Sequence, residues 1–547
     1  MKRRKFLGTS AGSLGAVTGL GLAGLAMGDM GMERAANQRT PKKTSAAALR
    51  AGRGKSDITR REAAPVTGDL AMKASLGMDM NAGIKIHDPL YVKALVLDDD
   101  TTRLAILTMD VIDIGSESEL PHDFLLSVRT KIEKEFNISG KNVLVNASHN
   151  HCVGGQISED VVDKTVDAVR QACANLVPAK IGVGHGKEDR ITMNRRIKLK
   201  NGKAWTERQA NPSPEDEDVA GVGLIDPEIG ILRIDTLDDK PFAVVYNFTS
   251  HPYIGASGGG VTAELPGFAS KVIEDDLGDG ALALFLQGAA GNVTEILYKD
   301  VNRPRNSEPL GMMLGLSTLE AWRAAKTGNG SLRVISETLD LPRRQDIPTR
   351  IKALEEEQNQ LLKSLIGTSL NFKTFLPLYI QYRLHPEYPS YYAYWYMQQQ
   401  TMGRIEQAAL DAENKKNIEK YLNNVYAMEK LARIQTNLGI LRNRQAMLEK
   451  SGSATVPIEV QIIKIGDFVL VTFPGELFVE IGLNIKKASP HKHTFIAAYS
   501  NGMIGYCPTD EAFEGWAYED SLTQLGAGWQ QIFEKKVAEL LRRAELT

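Results

Sequence analysis

Three short apolar runs in this chain each stop at a side chain able to bind a metal. Residues 142–147 (Asn-Val-Leu-Val-Asn-Ala) lead into Ser148-His149-Asn150-His151, 242–248 into Thr249-Ser250-His251-Pro252, and 468–473 into Pro474-Gly475-Glu476. Nearly continuous runs of β-branched and apolar residues predict strands buried on both faces. Further patterns fill the intervals. Residues 91–97 and 103–111 predict a hairpin around Asp98-Asp99-Asp100, 179–183, 230–234 and 281–287 predict strands, and 159–176, 266–277 and 311–325 have helical spacing. Strands return at 456–473 and 494–498, and a last helix is expected over 521–544. The fold class is α/β, with mixed parallel and antiparallel sheets flanked by helices.

One stretch breaks this rhythm. Residues 351–365 and 403–448 are rich in Gln, Glu and Lys with helical periodicity, which predicts a helical hairpin inserted at about 349–450. Aromatic residues crowd the segment between its arms, among them Phe375, Tyr379, Tyr382, Tyr394 and Trp395. They read as packing of the hairpin on the body, or as a substrate wall or lid.

At 547 residues the chain is long enough for a large core. A net charge of −2, with acidic and basic residues interspersed, gives no nucleic-acid or anionic-membrane footprint. Residues 1–28 carry Lys2-Arg3-Arg4-Lys5-Phe6-Leu7 before a Gly/Ala-rich apolar stretch, the pattern of a twin-arginine signal peptide. The expected partner there is the twin-arginine export machinery, and the expected location is periplasmic or secreted. Residues 29–50 lack periodicity and read as a disordered spacer, leaving 51–547 as the folded domain. No stretch of the mature chain is apolar enough for a transmembrane segment. Cys152, Cys173 and Cys507 make no disulfide framework, and Cys152 reads as a small buried residue in a turn. The Gly-rich run 255–261 lacks the spacing of a phosphate-cradling loop and reads as a loop bordering the site.

Ligands of open α/β sheets gather where strands end. Imidazoles and a carboxylate brought to one such edge suit a catalytic zinc with a vacant position. Of the pair His149 and His151, one would sit on the metal and the other be left for proton transfer.

The motif order carries a resemblance. Gly54-Lys55-Ser56-Asp57, His87-Asp88-Pro89, Asn146-Ala147-Ser148-His149-Asn150-His151, Asn194-Arg195-Arg196, Ser250-His251-Pro252, Ala263-Glu264-Leu265, Gly288-Ala289-Ala290-Gly291-Asn292, Phe473-Pro474-Gly475-Glu476 and Tyr518-Glu519 resemble the neutral/alkaline ceramidase family. The resemblance implies one zinc ion per chain, held by His149, His251, Glu476 and Tyr506. It implies His151 as proton donor to the leaving amine, Tyr518 as donor to the oxyanion and Arg195 as a pocket residue. Thr294 stands where the family carries a serine. The implied reaction is zinc-assisted hydrolysis of an N-acyl amide in a small or lipid-like substrate. The same centre on a glycan or glycoconjugate is the alternative. Relative to the family, the chain is expected to lack a C-terminal β-sandwich and to gain the helical insertion.

Overall fold

In the computed structural model of the protein the apolar runs become strands of two sheets. The structure describes residues 49–62, 85–115, 119–207, 214–297, 303–386, 391–404, 408–515 and 517–545. The predicted signal peptide and nearly all of the spacer lie outside them. All the described residues fall within one compact unit, Ala47–Thr547.

Among the described residues the larger sheet has nine strands. Its path runs Leu282–Gln287, Pro241–Phe248, Glu228–Thr236, Val177–Lys187, Arg50–Asp57, Tyr91–Asp98, Arg103–Met109 and Val143–Ala147, with Thr327–Gly328 paired to the fourth. Only the two outermost pairs on this path are parallel: Arg103–Met109 with Val143–Ala147, and Pro241–Phe248 with Leu282–Gln287. The smaller sheet orders Leu332–Pro342, Thr455–Ile465, Phe468–Thr472 and His493–Ala497, the last two parallel.

The sheets pack face to face, and the strand period explains how. Leu95, Leu97, Leu104, Ile106 and Leu144 point inward to meet Ile463, Ile465, Phe468, Leu470 and Phe495 of the smaller sheet. The alternate residues Val92, Ala94, Val96, Ala105 and Val145 point to the other face, where helices Phe124–Phe136 and Val161–Ala174 cover them. Val460, Ile462, Val469 and Val471 similarly meet Phe533, Val537 and Leu540 of the C-terminal helix Trp529–Glu545. Helices Glu264–Leu277 and Glu308–Ala324 cover the far half of the larger sheet through Leu265, Ala269, Ile273 and Leu314. Strands buried on both faces are what the unbroken apolar runs require.

The insertion leaves the smaller sheet between two adjacent strands, where Pro342 pairs with Thr455. Its described residues form four helices where two arms were expected: Ile347–Ser364, Phe372–Leu384, Tyr391–Thr401 and Ala408–Ser451. Asn371 starts the second through a capping box with Thr374, and Gly403, at φ 73°, follows the third. The first and last arms pack through Ile347, Leu354, Ile434, Leu438 and Leu441. Arg344, at the root, donates to the Asp520 carbonyl, and the Arg433 guanidinium lies 3.7 Å from the centre of the Trp205 ring. Of the aromatic segment, Phe375 is buried against Tyr421, while Tyr394 and Trp395 are exposed. No helix among the described residues is long and apolar enough to cross a membrane.

Candidate metal centre

Strand ends from both sheets converge because asparagine and glutamine side chains tie them together. Asn146 donates to the Ala498 carbonyl at 2.6 Å, and its own carbonyl accepts from the Gln287 amide at 2.9 Å. Asn247 donates to Leu286 and Ile496 carbonyls at 2.9 and 2.7 Å. These bonds join the two edges of the larger sheet to the parallel pair of the smaller one. A buried side-chain amide satisfies backbone groups that no ladder reaches.

The turns after those strands deliver three imidazoles to one point. The Nε2 atoms of His149 and His151 are 3.2 Å apart, those of His149 and His251 3.2 Å, and those of His151 and His251 2.9 Å. Glu476 places Oε2 3.4 Å from His149 Nε2 and 3.8 Å from His251 Nδ1. Nitrogen ligands about 2.0–2.1 Å from a tetrahedral metal ion stand roughly 3.3 Å from one another, so the three imidazole spacings fit a single ion, with Glu476 beside them.

Protonation supports that fit. His149 Nδ1 lies 2.7 Å from the Ile112 carbonyl and must donate to it, which leaves Nε2 with its lone pair. Burial, reinforced by His149, Arg195 and His151, holds His251 well below its ordinary pKa, so it is neutral and able to ligate. Glu476 Oε2 and His251 Nδ1 are buried with no hydrogen-bond partner. A sunken carboxylate oxygen facing lone pairs is costly without a cation. The donor set fits a metal ion.

Strain marks the same place. His149 adopts φ 62° and Tyr499 φ 56°, a region that residues with a side chain rarely occupy. Tyr499 packs its ring 4.2 Å from that of His149, and Tyr253 lies 4.8 Å from His151. His149 and His251 are fully enclosed, whereas His151 keeps partial access to solvent.

The remaining residues expected in the site fall around this centre in different roles. Tyr506 pairs with Glu476 in a two-residue parallel ladder, and its hydroxyl accepts from Arg195 at 2.9 Å. Tyr518 meets the Tyr506 ring edge-on at 5.7 Å. Arg195 is buried and held by Glu519 at 3.1 Å and the Gly291 carbonyl at 3.0 Å. Burial pushes the Glu519 carboxyl up, but Arg195, Arg196 and Thr206 outweigh it and hold the group below its usual range. Thr294 is enclosed beneath His251, its hydroxyl 3.3 Å from the His251 carbonyl. Thr294→Val keeps the shape and removes that bond, so a fall in Tm of a few degrees at most is expected in thermal unfolding.

The segment Gly288–Glu295 locks these pieces together. Gly291 N–H donates to Leu477 and Val479 N–H to the Asn292 side chain, while Arg195 N–H donates to Asn292 and His251 N–H to Val293. A Cβ on Gly291 would sit 2.3 Å from the Glu476 carbonyl oxygen. Gly291→Ala therefore displaces Glu476, and metal affinity measured by competition with a chelator should fall by about tenfold or more.

Motif reading had not assigned a role to Glu264 and Glu295. Glu264 accepts from the His151 and Gly255 amides at 3.0 and 2.8 Å, and Glu295 from those of Tyr253 and Ile254 at 2.9 and 3.0 Å. Burial, with Glu295 nearby, pushes Glu264 up to about 8. The pair clamps the turns carrying His151 and His251. A lone acid in a mostly apolar stretch was the only available signal. Cys152 sits in the same clamp, and all three cysteines are free thiols.

No protein-family model and no curated protein sequence matches this chain significantly. Solved structures do. The crystal structure of neutral ceramidase from Pseudomonas aeruginosa aligns over 91% of this chain and 75% of its own, with TM-score 0.57 and 18% identity. A ceramidase structure complexed with C2 aligns over 91% and 76%, with TM-score 0.57 and 16% identity. The chain has a neutral ceramidase-like fold. In this ceramidase-like fold, the histidine cluster that could hold a metal ion stands where the strand ends meet.

Proposed function

We propose that the protein is a zinc-dependent amidohydrolase that cleaves an N-acyl amide of ceramide-like chemistry. The observation that carries this reading is the cluster of three imidazoles beside the unpartnered Glu476 carboxylate oxygen. His149, His251 and Glu476 would hold the ion, with Tyr506 as the adjacent fourth donor. Zinc there supplies positive charge that acidifies water and polarises an amide carbonyl.

The chain's own groups do the rest. His149 is kept in one tautomer by Ile112, so its Nε2 stays available. Tyr518 donates toward the oxygen that gains charge as water adds to the carbonyl carbon. Arg195 holds the Tyr506 phenol in place and adds a positive charge beside it. His151, with partial access to solvent, passes a proton to the amide nitrogen as the C–N bond breaks, releasing an amine and a carboxylate.

The twin-arginine pattern at Arg3-Arg4 supports export of this activity from the cytoplasm. The test is metal-analysed protein offered a fluorogenic ceramide and a series of N-acyl amides. Hydrolysis that is lost on chelation and regained with zinc supports the reading, and a zinc-loaded protein inert toward the whole series refutes it.

A further inference from the structure

The inserted helices expose apolar surface to an extent the rest of the chain does not. Among the described residues, 21 large hydrophobic side chains are exposed, and ten of them lie between Leu362 and Met402. That span is under a tenth of the sequence. The helix Phe372–Leu384 is rolled by Phe375, which stacks on Tyr421 with ring centres 4.5 Å apart. One flank of it carries Phe372, Leu376, Ile380 and Leu384, exposed by 63%, 40%, 47% and 69%. Steps of four residues advance about 40° around a helix, so these form one continuous stripe along its length. The next helix, Tyr391–Thr401, adds exposed Tyr394 and Trp395.

Charge tells what covers this face. From Gln358 to Arg404 the sequence holds Lys363, Lys373, Arg383 and Arg404, but Glu387 is its only acid. The near-neutral balance of the whole chain conceals this local excess. A helix with exposed leucine, isoleucine and phenylalanine along one flank, cations beside them, and Tyr and Trp nearby matches a bilayer interface with anionic headgroups. A second copy would bring the same cations against themselves, which disfavours self-association through this face.

We propose that the helices Phe372–Leu384 and Tyr391–Thr401 dock the protein on an anionic lipid surface. This rests on the reading of a lipid-like amide substrate, which the docked enzyme would draw from the bilayer.

The experiment is flotation of the full-length protein with phosphatidylcholine vesicles, with and without phosphatidylglycerol. Wild type should float with the anionic vesicles. The variant Phe372→Ser/Ile380→Ser/Leu384→Ser should partition about tenfold less or weaker still, with Tm and hydrolysis of a soluble short-chain amide unchanged. Lys373→Glu/Arg383→Glu should lose the preference for anionic vesicles and keep Tm. Wild type that fails to float, or a triple variant that floats equally well, overturns the proposal. So does a wild-type dimer that the triple variant converts to monomer in sedimentation, because the face is then covered by a second copy. Cleavage of the soluble amide without flotation removes the docking surface alone. Flotation without cleavage of any amide removes the hydrolase reading instead.

Discussion

Replacing His149 by alanine, or Glu476 by glutamine, is expected to empty the metal site and to cut amide hydrolysis by about a thousandfold or more. Each side chain contributes something that no neighbour can replace. His149 faces both other imidazoles at 3.2 Å and approaches Glu476 at 3.4 Å, so its Nε2 is the hub of the cluster. Glu476 brings the negative charge that offsets part of a divalent cation, and glutamine keeps its shape while removing that charge. Loss of metal and loss of turnover should therefore run in parallel, measured as zinc per chain by elemental analysis and as kcat. Thermal unfolding supplies an independent reading. A ligand bound only to the folded state raises Tm, so chelation should lower the wild-type Tm and leave both variants unmoved. A variant that keeps one zinc per chain and still loses turnover would show that the side chain acts on substrate and not on the ion.

The strands that lead to His149, His251 and Glu476 were legible before any coordinates, for a physical reason. A strand buried on both faces must be apolar throughout, and a chain that turns sharply from such a run into His or Glu spends polar residues where the core has ended. Residues 142–147, 242–248 and 468–473 announced themselves in that way, and the strands Val143–Ala147, Pro241–Phe248 and Phe468–Thr472 are where they were expected. The strand Arg50–Asp57 was not, because Arg-Ala-Gly-Arg-Gly-Lys-Ser-Asp has little apolar character. Its glycines serve close packing instead: a Cβ on Gly52 or Gly54 would strike the Ala172 or Ala168 carbonyl of the overlying helix. The helix Phe124–Phe136 was also missed, since only Phe124, Val128 and Ile132 of its thirteen residues are buried. The insertion was recognised as helical by composition, but the count of helices depends on caps such as Asn371, which resemble any polar residue until the turn forms.

Within the site, residue types were readable and partnerships were not. Arg195 was expected to line a pocket, yet its guanidinium is committed to Glu519, Gly291 and Tyr506. Thr294, where the family carries a serine, bonds the His251 carbonyl. Both relationships join residues more than forty positions apart, which no spacing rule reaches. Tyr499 escaped for a narrower reason. The fourth strand end, after His493–Ala497, carries an aromatic ring instead of a ligand, so it gave no metal signal while supplying the wall against His149.

His151 stands where two chemistries meet, metal ligation and proton transfer. Its Nε2 is as near to the other imidazoles as a ligand would be, but it alone of the three keeps access to solvent. A group that exchanges protons with a departing amine needs that access, and a structural ligand does not. His151→Ala is therefore expected to keep its zinc and to lose roughly 100- to 10,000-fold in kcat, the range of a general acid. The loss should be concentrated on substrates with poorly stabilised leaving amines. An activated N-acyl anilide departs without help from a proton donor, so the variant should recover most of its rate on that substrate. If zinc affinity falls in step with the rate, and the anilide is spared nothing, His151 belongs to the metal's own shell and the proton must come from elsewhere.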